Sequence, residues 1–205
     1  MIAVIDYGRG NLGSVEKAFG GLGMKAVVTQ EPRVVQQAEA VVLPGDGAFH
    51  DAMGNLQSLG LLEPLRDCLD EGRPFLGICL GYQLLFTESE EFGQGKGLDV
   101  IPGVVRRFPA GLKVPHMGWN QVEHPGDCPL FDGIPSGAHF YFVHSYYPET
   151  AERSLRVAMC SYGVTFPAAV GRGALFGTQF HPEKSQRWGL RLLENFAAFV
   201  KDCRR

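Results

Sequence analysis

No stretch of this 205-residue chain is apolar for long enough to resemble a membrane span, and its start lacks the basic region and long apolar segment of a secretory leader. Met1-Ile2-Ala3-Val4-Ile5-Asp6 reads as a first strand, so the expected location is the cytoplasm. The five cysteines, Cys68, Cys79, Cys128, Cys160 and Cys203, are odd in number and form no C-x-x-C pair, which argues against a disulfide framework and a zinc site. They are expected to be reduced thiols. A net charge of −3, with Arg204-Arg205 a short basic tail, gives no electrostatic case for nucleic acid. Internal repeats and linkers are also missing, so residues 1–205 are expected to form one domain, long enough to bury most of its apolar surface. No cofactor or metal is expected.

What is present is an alternation of short apolar runs with amphipathic segments. Residues 2–5, 26–29 and 40–43 read as strands, and 12–22 and 61–69 as helices. This spacing predicts an α/β fold of three layers, a mostly parallel central sheet with helices on both faces. Between residues 93 and 174 the pieces become shorter, with frequent Pro and Gly. Segments 103–108, 139–143 and 155–160 are expected to be antiparallel strands and hairpins attached to the main sheet. Residues 174–180 then read as a strand, and 188–200 as an amphipathic helix with Leu190, Leu193, Phe196 and Val200 on one stripe. Ligands of such sheets sit beyond the C-terminal strand ends, where the glycine-rich loops at 7–13, 44–47 and 77–81 all fall.

The most informative stretch is Pro74-Phe75-Leu76-Gly77-Ile78-Cys79-Leu80-Gly81-Tyr82-Gln83-Leu84-Leu85-Phe86. It predicts a strand, a sharp turn and a helix, with a thiol at the corner. Gly77-x-Cys79-x-Gly81 is the thiol counterpart of a nucleophile elbow, whose glycines permit a strained turn. The sulfur is expected to be exposed and to point along a helix start, where unpaired N–H groups and the helix dipole favour a thiolate. A buried core cysteine is the alternative.

A thiol nucleophile needs a base, and a histidine base needs an orienting group. His181 is the one histidine with a carboxylate two residues on, Glu183, and Pro182 biases it towards an extended conformation in which the two side chains project together. His124-Pro125-Gly126-Asp127 competes but lacks that spacing. For an oxyanion the Leu80 N–H is one donor, and residues 44–47 are the best source of a second. Gly8-x-Gly10-x-x-Gly13 with Glu31 approximates a dinucleotide fingerprint, but that reading leaves Cys79, His181 and Glu183 idle. Its Arg9 and Asn11 suit contact with another chain or a ligand. Gly93-Gln94-Gly95-Lys96-Gly97 reads as a flexible surface loop. Pro115-His116-Met117-Gly118-Trp119-Asn120 suits a partner surface and Tyr141-Phe142-Val143-His144-Ser145-Tyr146 a substrate wall; aromatic core packing is the alternative for both.

Gly77-x-Cys79-x-Gly81-x-Gln83 with His181-x-Glu183 resembles the class I, triad-type glutamine amidotransferases. Asp6-Tyr7-Gly8-x-Gly10-Asn11-Leu12, Pro44-Gly45-x-Gly47-Ala48-Phe49, His116-Met117-Gly118-Trp119-Asn120 and Phe142-Val143-His144-Ser145-Tyr146 narrow the resemblance to the glutaminase subunits of imidazole glycerol phosphate synthases. The resemblance implies that Cys79 attacks the carboxamide of L-glutamine, that His181 and Glu183 complete the triad, and that the backbones of Leu80 and Asp46 form the oxyanion hole. It implies substrate contacts from Gln83, Glu91, Ser145 and Tyr146. Asn11, Met117, Trp119, Asn120, Tyr141 and Lys184 would face the partner or the ammonia passage. The implied partner is a cyclase subunit with a (β/α)₈ barrel, in a heterodimer. The N-terminal glycine loop would then face the partner and bind no dinucleotide. The family commonly has valine where this chain has Asp46, whose side chain is therefore expected to point away from the oxyanion. Two rival readings are a stand-alone thiol hydrolase acting on γ-glutamyl compounds and a silent binding subunit; the first leaves Met117, Trp119 and Asn11 unexplained, and the complete Cys, His and Glu set argues against the second.

Overall fold

The computed structural model describes residues 1–8 and 10–203. Arg9, Arg204 and Arg205, noted above for their charge, lie outside the described residues.

Seven strands form the central sheet, in spatial order Arg156–Tyr162, Val164–Arg172, Leu175–Thr178, Phe75–Ile78, Ala40–Leu43, Ile2–Ile5 and Ala26–Thr29. The last five of these are mutually parallel, and the first two join the edge antiparallel. The four inner parallel strands are apolar runs because both of their faces are covered, and the edge strand Ala26–Thr29 is half-buried. Side-chain alternation divides each run between two cores. Ile2, Val4, Val42, Leu76 and Ile78 pack with Val15 and Phe19 of the Leu12–Gly21 helix and with Leu192 and Phe196 of the Gln186–Asp202 helix. Ala3, Ile5, Val41 and Leu43 pack on the opposite side with residues of helices Pro32–Gln36, Phe49–Ser58 and Leu62–Asp70. These are the three layers expected for the class.

The β-rich middle of the chain is more divided than the expected hairpins on the main sheet. Arg156–Tyr162 and Val164–Arg172 do extend that sheet. Tyr146–Glu149, Ile101–Arg107, Phe86–Ser89 and Gly95–Lys96 make a separate four-stranded sheet, and His116–Val122 pairs with Ala138–His144 in a third. One pair in the four-stranded sheet, Phe86–Ser89 with Ile101–Arg107, is parallel. The glycine-rich 93–97 segment is not a free loop, since Gly95 and Lys96 pair with Ser89 and Glu88.

Three other differences from the sequence reading have local causes. The helix after Cys79 ends after one turn, Leu80–Gln83, and Phe86 already belongs to a strand. The carbonyls that would continue it are taken from outside: Leu98 N–H donates to Leu84, and the Val100 and Ile101 N–H groups donate to Leu85. The Phe49–Ser58 helix, not expected from the sequence, has its first N–H held by the Glu91 carboxylate at 2.7 Å, a cap supplied from 42 residues away. In the last helix Leu190 is 44% exposed, and the inward stripe runs through Gly189, Leu193, Phe196 and Val200. Gly189 heads it because a Cβ there would stand 1.9 Å from the Pro182 carbonyl oxygen.

That contact seats the helix on the turn carrying His181 and Glu183. Replacing Gly189→Ala forces the two apart, so the variant is expected to lose about 2 kcal/mol of stability, read as a lowered thermal midpoint. An unchanged midpoint would show that the contact is not tight.

Candidate active site

Cys79 joins strand Phe75–Ile78 to the single helical turn at φ 55° and ψ −109°, a conformation that strains an L residue. The turn closes only because its flanks are bare: a Cβ on Gly81 would stand 1.7 Å from the Leu43 carbonyl oxygen, and one on Gly77 would stand 2.8 Å from the Gly81 oxygen. The Cys79 N–H donates to Thr178 at 2.7 Å, tying the corner to the neighbouring parallel strand. Contrary to expectation the cysteine is buried, 7% exposed. Its thiol opens onto a cavity, and the helical turn is too short to supply a sizeable dipole. Support for a thiolate must come from individual groups.

That cavity, of about 250 Å³, is lined by Cys79, Leu80, Asp46, Gln83, Glu91, Ser145 and Tyr146, together with Gly47, Pro115, Val143 and His144. Every nucleophile, oxyanion and substrate candidate named from the sequence therefore borders one space. A larger groove of about 780 Å³ beside Trp119 and Trp188 is lined by no thiol and by none of those candidates. Among the described residues, the N–H groups of Leu80 and Asp46 have no acceptor. Asp46 is exposed at the cavity rim. Beneath its loop the buried Tyr7 hydroxyl has no hydrogen-bond partner among the described residues. Burial, reinforced by the nearby charges of Cys79 and Asp46, keeps that hydroxyl protonated.

Behind the thiol, His181 Nδ1 lies 2.9 Å from Glu183 Oε1, with both side chains buried. The pairing does not come from extended alternation. His181 is extended, but Glu183 sits in a tight turn, Pro182–Lys184, that folds the carboxylate back under the ring. Among the described residues the opposite nitrogen, Nε2, is buried with no hydrogen bond of regular geometry, as is Glu183 Oε2. Burial opposes a charged imidazole here, yet the negative charge of the Cys79 sulfur and the bond to Glu183 outweigh it and raise the pKa to about 10. The competing His124 stacks on Phe131 and bonds through neither ring nitrogen.

A thiol on a strained elbow, backed by a carboxylate-oriented imidazole and opening onto a cavity bordered by N–H donors, is equipped for acyl transfer. The family model for glutamine amidotransferase class-I matches residues 3–199. The chain belongs to the class I glutamine amidotransferase family. It is 54% identical over 202 residues to an imidazole glycerol phosphate synthase subunit HisH from Desulfitobacterium hafniense, covering 98% of this chain and 96% of that one. A subunit of the same name from Moorella thermoacetica is 55% identical over 200 residues, covering 98% and 95%. Among solved structures, a glutamine amidotransferase superposes with a TM-score of 0.77 at 20% identity, over 98% of both chains. A chain of PurLQS from Thermotoga maritima gives 0.76 at 15% identity, over 97% of this chain and 98% of that one.

In this amidotransferase the substrate-side candidates are already partly engaged. The Gln83 Nε2 donates to the Tyr146 carbonyl at 2.9 Å and to Gln179 Oε1 at 3.0 Å. Glu91 Oε2 caps the Phe49–Ser58 helix. The Ser145 carbonyl accepts from the Phe108 N–H. His144 and His116 meet through Nε2 and Nδ1 at 2.9 Å. Burial, with the nearby His116 and His181 charges adding to it, lowers His144 to about 3 against the help of the Tyr146 carbonyl, and burial lowers His116 to about 4. Both are neutral, the satisfied core histidines of the blander sequence reading.

The partner-side candidates separate by strand face. Met117 and Trp119 point outward, 62% and 46% exposed. Asn120, on the other face, is bonded to Ser161 and His116. Tyr141 packs its ring 6.1 Å from that of Trp119, and its carbonyl accepts the His181 N–H. Lys184 is exposed one residue beyond Glu183. Asn11 precedes the first helix, its carbonyl accepting from Ser14 and Val15.

Two residues escaped the sequence reading. The buried Ser185 hydroxyl donates to the His181 carbonyl at 2.6 Å and accepts from the Tyr141 N–H at 2.9 Å, holding the base's backbone in place. Gln179 lies beside Cys79. A lone amide in an apolar strand end was the available signal for it.

With Nε2 protonated up to about pH 10, an imidazolium that must deliver its proton loses function above that pH. The pH profile of glutamine hydrolysis is therefore expected to fall on its alkaline side near pH 10. In Glu183→Gln that limb should move to lower pH, because the orienting charge is gone. A limb at the same pH in both proteins would show that Glu183 does not support the charged ring.

Proposed function

We propose that this chain is the glutaminase subunit of an imidazole glycerol phosphate synthase. It hydrolyses L-glutamine to L-glutamate and ammonia for histidine biosynthesis. The observation that carries the reading is one small cavity bordered by Cys79, Leu80 and Asp46, with the His181 and Glu183 pair set against the thiol from behind, in a chain with HisH relatives.

The Cys79 sulfur attacks the carboxamide carbon, and the carbonyl oxygen becomes an oxyanion held by the Leu80 and Asp46 N–H groups. His181, oriented by Glu183, gives its proton to the departing nitrogen. The C–N bond breaks, ammonia leaves, and a γ-glutamyl thioester remains on Cys79. Water then attacks the thioester as His181 takes its proton, and the sulfur departs to release glutamate. Gln83, Glu91, Ser145 and Tyr146 hold the substrate.

The ammonia passes to the (β/α)₈ barrel of a cyclase partner, which forms imidazole glycerol phosphate and aminoimidazole carboxamide ribotide. In water at neutral pH it would be protonated and lose its nucleophilicity, so transfer requires a closed contact. Met117, Trp119, Tyr141, Asn11 and Lys184 supply that face, with Asn120 bracing its strand from behind. Exposed Met and Trp on one strand suit an interface core. The heterodimer works in the cytoplasm; among the described residues no helix is long and apolar enough to cross a membrane.

Glutamate release with and without the cyclase and its ligand tests the assignment. Wild type is expected to be stimulated by the partner, and Cys79→Ala to fall by more than about a thousandfold in both conditions. A wild type indifferent to the partner would defeat the channelling reading, and an active Cys79→Ala would defeat the nucleophile. In the same assay, Asp46→Val is expected to keep basal activity within about threefold, since only its backbone serves the oxyanion. A large rise would show that the carboxylate faces the oxyanion.

A further inference from the structure

Gln179 follows the Leu175–Thr178 strand and is wholly buried, with its own N–H donating to Ala168 at 2.7 Å. A buried primary amide needs partners for its carbonyl oxygen and its N–H bonds. The Gln179 Oε1 accepts from Gln83 Nε2 at 3.0 Å, and its Nε2 lies 3.8 Å from the Cys79 sulfur. Which end of each amide carries the oxygen follows from the Tyr146 carbonyl, an atom that can only accept. The Gln83 atom 2.9 Å from it must be nitrogen. That same nitrogen faces Gln179, which must therefore show its oxygen there and its N–H to the sulfur. The Tyr146 carbonyl also meets His144 Nδ1 at 2.8 Å, so that nitrogen carries a proton and His144 Nε2 is left to accept from His116 Nδ1. One acceptor sets the polarity of both chains.

We propose that Gln179 is a positioning residue that locks the Gln83 amide in one orientation and aims its own N–H at the sulfur of Cys79. This rests on the reading of Cys79 as nucleophile. A donor at the sulfur favours thiolate over thiol, which the one-turn helix cannot do through its dipole. With both its N–H bonds engaged, Gln83 offers the cavity its carbonyl oxygen, an acceptor suited to an N–H group of the substrate. A carboxylate or ester in the same place brings no such donor.

The other titratable groups around the sulfur are His181 with Glu183 behind it, Tyr7 beneath the oxyanion loop, and Asp46, Glu91 and His144 at the cavity wall. Gln179→Met replaces none of these groups. The test is the pH dependence of Cys79 alkylation by iodoacetamide, followed on the Cys79 peptide by mass spectrometry, in wild type, Gln179→Met and Gln83→Leu. The midpoint is expected to rise by about one pH unit in Gln179→Met, with alkylation about tenfold slower below the midpoint. Its kcat for glutamine should fall at neutral pH and recover towards wild type as the pH is raised, which a merely structural defect would not do. Gln83→Leu frees the Gln179 amide to turn and should raise the midpoint too. A folded Gln179→Met with the wild-type midpoint overturns the proposal. If that variant does not fold, an unmoved midpoint in Gln83→Leu overturns it instead. Glutamine hydrolysis that survives Cys79→Ala would instead defeat the underlying reading of the nucleophile, so the two failures are distinguishable.

Discussion

The constraint on which this structure depends is the absence of space at the corner after the Phe75–Ile78 strand. The backbone of Gly81 lies so close to the Leu43 carbonyl that no side chain fits between them, and Gly77 is pressed, less closely, against the turn above it. Two adjacent parallel strands thus meet the start of the helical turn with nothing between. That closeness forces Cys79 into its left-handed conformation and brings the Leu80 N–H and the residue 44–47 loop to the same side of the sulfur. The strain at Cys79 is offset by the burial of the sheet around it.

From this corner the remaining parts are held by long-range bonds. The Thr178 carbonyl fixes Cys79, and the residues just after Thr178 supply both Gln179 and His181. The His181 loop is tied to the Tyr141 backbone and to Ser185, and through Gly189 to the terminal helix. Electrostatics then act in a nearly dry setting. The negative sulfur of Cys79, with the Glu183 carboxylate, keeps a charged His181 imidazole stable well above its ordinary range, while His144 and His116, without an anionic neighbour, stay neutral. Histidines in similar burial serve opposite purposes because their neighbours differ in charge.

Much of this could be read from the residues. The strands at 2–5 and 40–43 were legible because strands buried on both faces are continuous apolar runs, and the half-buried edge strand at 26–29 keeps a shorter run of the same kind. The elbow and the base were legible because their chemistry needs particular residues at fixed spacings. What escaped reading depends on groups distant in sequence. The short helix after Cys79 ends because Leu98, Val100 and Ile101 claim its carbonyls, and the Phe49–Ser58 helix begins on a carboxylate 42 residues away. Leu190 satisfied the apolar period, but the turn at Pro182 reserved the inward position for Gly189. Gln179 carried a signal only through its polarity, since its partners are set by the pairing of two strands far apart in the chain.

That pairing has a bearing on how the molecule is made. Leu175–Thr178, the last strand in chain order, occupies an interior place in the sheet, between Phe75–Ile78 and Val164–Arg172. Until it inserts, two strands have open edges, Cys79 lacks its anchor, and neither Gln179 nor His181 is near the sulfur. Pairings between residues a hundred positions apart form late because closing so long a loop is entropically costly. A growing chain that stops short of Leu175 therefore holds the cysteine but no place to use it, and the thiol acquires its surroundings only once that strand has been made.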